Sequence, residues 1–252
     1  HVGKHFQVRG PLNMARSPQG RPVIAQAGGS EPGMELAART AEMVFSLASN
    51  IDRSRAFYAN VKARMAKYGR AEEDLKIMPG IVLNVGATEA EAEARAQQLV
   101  DLMHPDVGLL MLQEFLETDL HGADLDRPFP MDRMPERAKG SQALFEELKE
   151  FVTKGHTLRE LITHYARRHT GNGITGSPAQ IADFMEEWFE TRAADGFILM
   201  CPTLPAALED FTTLVVPELQ RRGLFRTEYE ARTLRGNLGI SEPANRYTAA
   251  RG

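Results

Sequence analysis

Cysteine is nearly missing from this chain: Cys201 stands alone among 252 residues. No disulfide can close within the molecule, and a reducing, cytoplasmic setting is expected. No apolar run approaches the ~20 residues that cross a bilayer, and no secretory signal is read at the start. Lysine and arginine form no block, and the net charge is −4. Nucleic acid and membrane are therefore not expected as partners. H-E-x-x-H, C-x-x-C and G-x-S-x-G do not occur, which removes the commonest zinc-protease, thiol-redox and nucleophile-elbow chemistries. An initiator methionine is also lacking. The chain opens His1-Val2-Gly3-Lys4-His5 as if inside a structured segment, and either upstream removal or membership of a longer protein is expected.

What is present is an ordinary globular balance, 42% hydrophobic and 25% charged, on a chain long enough to bury one large core. Residues 21–33, R-P-V-I-A-Q-A-G-G-S-E-P-G, organise the rest. Val23 to Ala27 form a short apolar run that suits a strand buried on both faces. Gly28 and Gly29 permit a tight turn and a close backbone approach. Ser30 is an N-cap type, Pro32 suits a first turn, and residues 34–39 are good helix formers. A buried strand, a glycine turn and a helix N-terminus gather free N–H groups and a dipole's positive end, a seat for phosphate. The same residues also fit a plain βα turn with no ligand, and spacing alone does not separate the two.

Residues 1–20 predict a hairpin or loop leading into that strand. A helix at about 31–41, a strand at 42–48 and a helix at 51–68 follow, the last with Ala56, Val61, Met65 and Tyr68 inward and Gly69 as its stop. Residues 75–85 predict a third strand with a bend at Pro79-Gly80. Thr88 with Glu91 is a capping box before a helix carrying Leu99, Val100, Leu102 and Met103. Residues 104–140 form an insertion, helical at 109–116 and irregular from 121 to 135, long enough to suggest a lid or interface arm. Three helices are then predicted without intervening strands, started by Ser141, by a Thr157/Glu160 box and by Ser177. Residues 195–201 give a fourth strand, 204–222 a helix, and 223–252 a short helix and extended tail. Alternating strands and helices argue for parallel βαβ units. Four strands make half a barrel or a small open sheet, since a closed (β/α)8 barrel needs eight.

Residues 171–176 spell G-N-G-I-T-G, but the G-x-G-x-x-G fingerprint must follow a buried strand. Here a polar helix end precedes it, and a linker is expected. His104 with Asp106 and His121 with Asp124 lack metal-ligand spacing, so no metal is assigned. His156, His164 and His169 are expected on a solvated face, with His156 the one that reaches toward a pocket. Cys201 is expected as a small buried hydrophobe.

Four segments together carry a resemblance: G-K-H-F-x-V-R-G-P-L-N at 3–13, the strand–G-G-S–helix stretch, G-S-P-A-Q-I-A at 176–182, and D-G-F-I-L at 195–199. The chain resembles the luciferase-like flavin monooxygenases, in the branch of nitrilotriacetate, dibenzothiophene-sulfone and long-chain alkane monooxygenases. The likeness covers essentially all of residues 1–252, as the C-terminal part of one barrel domain from about its fifth strand onward. It implies an α/β fold, a (β/α)8 TIM barrel of the bacterial-luciferase type, here about its last four βα units with helical insertions. It implies reduced FMN supplied by a separate NAD(P)H:flavin reductase, O2 as co-substrate, a peroxyflavin that oxygenates a small organic substrate, and a homo-oligomer. Carried over, Gly29 and Ser30 hold the FMN phosphate, and Gln26, Ala27 and Gly28 lie beside the flavin. No catalytic acid or base carries over, because the family's residues around the ring come largely from strands one to four. A catalytically incomplete half-barrel that binds flavin or serves assembly is the alternative.

Overall fold

The computed structural model describes residues 1–10, 13–47, 50–139, 142–166 and 173–245. In chain order the elements are β1 (Ala25–Ala27), α1 (Glu31–Thr40), β2 (Met43–Leu47), α2 (Ile51–Met65), β3 (Lys76–Ile81), β4 (Leu83–Val85), α3 (Glu89–Asp101) and α4 (Pro105–Leu116). Then come α5 (Gln142–Thr153), α6 (Leu158–Ala166), β5 (Ile174–Gly176), α7 (Pro178–Glu190), β6 (Ile198–Leu199), α8 (Ala206–Asp210), α9 (Val216–Arg221) and α10 (Leu234–Asn237). The strands form a four-stranded sheet, β1-β2-β3-β6, and a two-stranded one, β4-β5. All three registered pairings are parallel. The chain divides into two compact units, one of residues His1–Gly80, Trp188–Ile198 and Arg226–Gly252, the other of Ile81–Glu187 and Leu199–Phe225.

In the first unit, Met34, Ala37 and Ala38 of α1 pack with Val44, Val61, Met65, Leu75 and Ile77. The start of the chain is a small hairpin, with Val2 bridged antiparallel to Gln7. Its best-built feature is a buried ion pair. Glu42 and Arg235 are 4% and 1% exposed, and two bonds of 2.7 and 2.8 Å from Nη1 and Nη2 join them end-on. The Ile24 amide and Arg21 also donate to Glu42, at 2.9 and 2.8 Å. One carboxylate thereby ties α10 to the lead-in of both β1 and β2. Burial pulls its pKa upward, but the bonds from Arg235, Ile24 and Arg21 outweigh that and hold it at about 2.

In the second unit, Leu112, Leu116, Leu120, Phe129, Phe145, Leu148, Leu158 and Leu161 share one core. The irregular stretch from 121 to 135 is folded onto it: Leu158 and Arg159 donate backbone bonds of 2.8 Å to Arg127 and Leu125. Arg159 also grips Asp126 through two bonds, at 2.8 and 3.2 Å. The Thr157/Glu160 capping box forms, whereas at Thr88 the cap forms but the Glu91 carboxylate reaches one residue further back, to the Ala87 amide. Thr88 Oγ1 accepts from Glu91 N at 3.2 Å while Glu91 accepts from Ala87 N at 3.0 Å. Thr157 Oγ1 accepts from Glu160 N at 3.2 Å while Glu160 accepts from Thr157 N at 2.7 Å.

Several expectations need correction. The strand after residue 20 is three residues long, with Ala25 and Ala27 exposed, because β1 is an edge pairing only with β2. Ala56 is exposed and Tyr68 half-buried; Ser54, Tyr58 and Lys62 share the inward face with Val61 and Met65. Leu102 is exposed too. The predicted strand at 75–85 breaks at Val82, while Pro79 lies within β3 opposite Ser46. Residues 174–176 are a strand, not linker, paired along Leu83–Val85. A Cβ on Gly173 would collide with Val82 O, so glycine there serves the close approach of β5. The strand expected at 195–201 is confined to Ile198–Leu199, and the helix at 204–222 carries a π-helical stretch at Phe211–Val215. Ser141, His169 and the first two residues of G-N-G-I-T-G lie outside the described residues.

Arg235→Ala strands a buried carboxylate and should cost about 3–5 kcal/mol in denaturant melts at neutral pH. In the folded chain Glu42 takes its proton only near pH 2, whereas unfolded it does so near 4.5. Its stabilisation is therefore complete above the unfolded value and drains away between the two as pH falls. Glu42→Gln should flatten that acid-side loss; a variant as acid-sensitive as wild type would contradict the role given to Glu42.

Candidate functional site

Parallel strands in register end together. Ala25, Gln26 and Ala27 lie opposite Met43, Val44 and Phe45, so the carboxyl ends of β1 and β2 lie at the same end of the sheet. Each strand then runs into the start of a helix. Ser30 caps α1, its Oγ accepting from Gly33 N at 3.3 Å. Asn50 caps α2, its Oδ1 accepting from Arg53 N at 2.9 Å. A cleft of about 450 Å³ opens between these segments. Ala27, Gly28 and Gly29 line it from β1 and its turn, Phe45 and Ser46 from β2, and Arg53, Ser54 and Phe57 from α2.

The glycine turn exposes backbone. Gly28 sits at φ +141, a region that side chains resist, while a Cβ on Gly29 would meet nothing within 4 Å. The amides of Gly29 and Ser30 donate to no acceptor among the described residues. Pro32 has no amide to offer, so the free donors at the start of α1 are concentrated next to the turn.

Of the five residues predicted for the site, Ala27, Gly28 and Gly29 form its wall. Ser30 turns its oxygen to its own helix, leaving the hydroxyl hydrogen to donate elsewhere. Gln26 is half-buried; its Nε2 donates to the carbonyls of Ala27 and Gly33 at 3.0 and 3.3 Å. Its Oε1 is buried and has no partner among the described residues, an acceptor that a ligand donor would satisfy. Phe45, Ser46, Arg53, Ser54 and Phe57 were not foreseen. The available signal was topological: β2 also leads into a capped helix, so its first turn belongs beside that of α1.

Among the described residues Arg53 is the only ionisable side chain on the cleft wall. The wall can bind and orient, but it carries no acid or base of its own. The buried titratable groups of this unit serve the fold. Lys62 Nζ donates to the carbonyls of Glu72 and Leu75 at 2.7 and 2.5 Å and pairs with Asp195 at 3.1 Å. Burial lowers its pKa, with Asp195 opposing. Tyr58 donates to Asp195 at 2.9 Å, and burial with the Asp195 charge pushes its hydroxyl up to about 12. Asp195 also accepts from Ile77 N at 2.8 Å, which gives the aspartate of D-G-F-I-L a structural task.

The histidines lie elsewhere. His104 caps α4, its Nδ1 accepting from Asp106 N at 3.3 Å. In the second unit His156 and His164 each stack on Phe151, with centroids 4.0 and 4.5 Å away; both are half-buried rather than solvated. Cys201 is half-buried. Among the described residues no group of acidic, histidine or cysteine side chains could hold a metal ion, and no helix is long and apolar enough to cross a membrane.

A parallel α/β protein with its cleft at the carboxyl ends of adjacent strands is the class that fold and site define. The chain belongs to the luciferase-like monooxygenase family, whose profile matches residues 1–195. It is 51% identical over 247 residues to nitrilotriacetate monooxygenase component A from Aminobacter aminovorans, covering 97% of this chain and 54% of that protein. Among solved structures it resembles the EDTA monooxygenase of Chelativorans sp. BNC1, with TM-score 0.69 and 33% identity over 96% of this chain and 56% of that one. It also resembles a riboflavin lyase solved with modified FMN and riboflavin, with TM-score 0.73 and 28% identity over 98% of this chain and 54% of that one. The chain thus spans about half the length of the relatives it matches.

Gly28→Ala should destabilise the first unit by about 1–3 kcal/mol, because alanine cannot relax at that φ. Gly29→Ala should change stability by less than about 0.5 kcal/mol. Urea melts that rank the two variants in the opposite order would show that the turn is not built as described.

Proposed function

We propose that this chain is the C-terminal part, residues 1–252, of one luciferase-like barrel domain of a two-component monooxygenase that uses reduced FMN and O2 to oxygenate a small organic substrate. The observation that carries the proposal is that, among the described residues, the amides of Gly29 and Ser30 at the start of α1 have no partner and the cleft beside them has no carboxylate on its wall. Such a place suits the FMN phosphate through both hydrogen bonding and the helix dipole. Gln26, Ala27 and Gly28 would lie along the flavin, with the unsatisfied Gln26 Oε1 accepting from it.

When bound, reduced FMN supplies the activation of O2 and the delivery of one oxygen atom. This chain's residues hold the phosphate, set the flavin's position from the carboxyl ends of β1 and β2, and keep water off through Phe45 and Phe57 on the cleft wall. The word "component" in the nitrilotriacetate relative's name supports a separate partner, which we assign as an NAD(P)H:flavin reductase. The FMN in the riboflavin lyase structure supports the choice of flavin.

One observation favours the second reading, a module for flavin binding or assembly without turnover. Val2, Phe6, Val8 and Met14 are 82%, 72%, 60% and 82% exposed, an apolar presentation expected of a surface that another polypeptide covers. Reduced FMN, O2 and substrate supplied to the chain joined to the rest of its barrel separate the readings, since substrate oxygenation belongs only to the first.

Gly29→Asp places a carboxylate at the seat without a clash, since nothing lies within 4 Å of that Cβ. FMN binding, followed by flavin fluorescence, should weaken by more than about tenfold through like-charge repulsion, with folding stability unchanged. Wild-type affinity in Gly29→Asp would overturn the phosphate assignment.

A further inference from the structure

The glycine turn forms only one wall of the cleft. The other is the first turn of α2, and it holds two side chains with unspent capacity. Arg53 is solvent-exposed and has no carboxylate within ion-pair distance among the described residues. Its neighbours do not compete for it: Asp52 faces Arg55 at 3.9 Å, and Asp52 is not on the cleft wall. Arg53's own amide is already taken by the Asn50 cap, so its contribution to the cleft is the guanidinium.

Ser54, the next residue, is only 8% exposed. Its amide bonds to Asn50 O at 3.1 Å, yet its hydroxyl meets no partner among the described residues. A hydroxyl on the cleft wall that bonds to nothing among the described residues is free to donate to a ligand. The cleft therefore has the free amide of Gly29 on one side, with that of Ser30 next to it in the chain, and a free guanidinium and a free hydroxyl on the other, with no acidic side chain among the described residues of its wall.

Resting on the FMN reading above, we propose that Arg53 and Ser54 form the second half of the phosphate seat, and that Arg53 makes the site select a flavin ending in a phosphate dianion over riboflavin, which ends in a neutral hydroxyl. A guanidinium is suited to this because its fork of N–H groups matches phosphate oxygens and keeps its charge at any working pH. Ser54 supplies a neutral bond that orients the group, and the amides of Gly29 and Ser30 close the opposite side.

FMN and riboflavin are titrated separately into the wild-type chain, Arg53→Gln, Arg53→Lys and Ser54→Ala, at low and high salt. Wild type should prefer FMN. Arg53→Gln should weaken FMN by roughly 10- to 100-fold, leave riboflavin unchanged and flatten the salt dependence, while Arg53→Lys recovers most of the preference. Ser54→Ala should weaken FMN several-fold at either salt. Unchanged FMN affinity in Arg53→Gln, or an equal loss for both flavins, would overturn the proposal. If that happens while Gly29→Asp still abolishes FMN binding, the phosphate reading stands and only the part given to α2 falls. If wild type binds both flavins alike, or neither, the phosphate reading fails and this inference fails with it.

Discussion

The parallel, in-register pairing of β1 with β2 is the constraint on which the site depends. Three residue pairs, Ala25–Ala27 against Met43–Phe45, are enough to bring the carboxyl ends of both strands to the same end of the sheet. Because both continue into capped helices, two first turns are set side by side there. A one-residue slip in register would move Gly28 and Gly29 along the strand direction relative to Arg53 and Ser54, and would turn each side chain of the shifted strand to the other face.

The opposite end of the same strands shows what holds the register. β1 is short and exposed, so little apolar burial fixes it. Glu42 compensates by accepting from Ile24 just before β1 while standing just before β2, and Arg235 closes the carboxylate from α10. A buried ion pair of this kind is a modest source of net stability but a strict one of geometry, since each member left alone is costly. The two ends of the strands thus divide the work: charge satisfied internally at one end fixes the frame, and donors left unsatisfied at the other are available to a ligand.

Much of this was legible in the sequence where the determinants are local. Ser30, Thr88 and Thr157 with Glu160 act within one helical turn and cap their helices as read, while Glu91 bonds the Ala87 amide in place of that of Thr88. The glycine turn was legible for the same reason, and the family resemblance rested on it and on the flanking motifs. What the sequence concealed depends on distant partners. β5 is three residues with a glycine at its end, and it exists because β4 offers it a ladder. Val82 rather than Pro79-Gly80 divides β3 from β4, a choice made by where the partner strands lie. Lys62 reads as a surface lysine in a helix, and Asp195, far along the chain, makes it an interior one. Arg53 and Ser54 look like ordinary first-turn residues until β2 is laid beside β1.

The central claim is that phosphate rests on uncovered amides at the sheet end shared by β1 and β2. A crystal structure of the chain with FMN tests it most directly. The account predicts phosphate oxygens about 3 Å from the backbone nitrogens of Gly29 and Ser30, on the side of the cleft that Arg53 faces. A phosphate bound elsewhere, with those two amides still facing solvent, would contradict it.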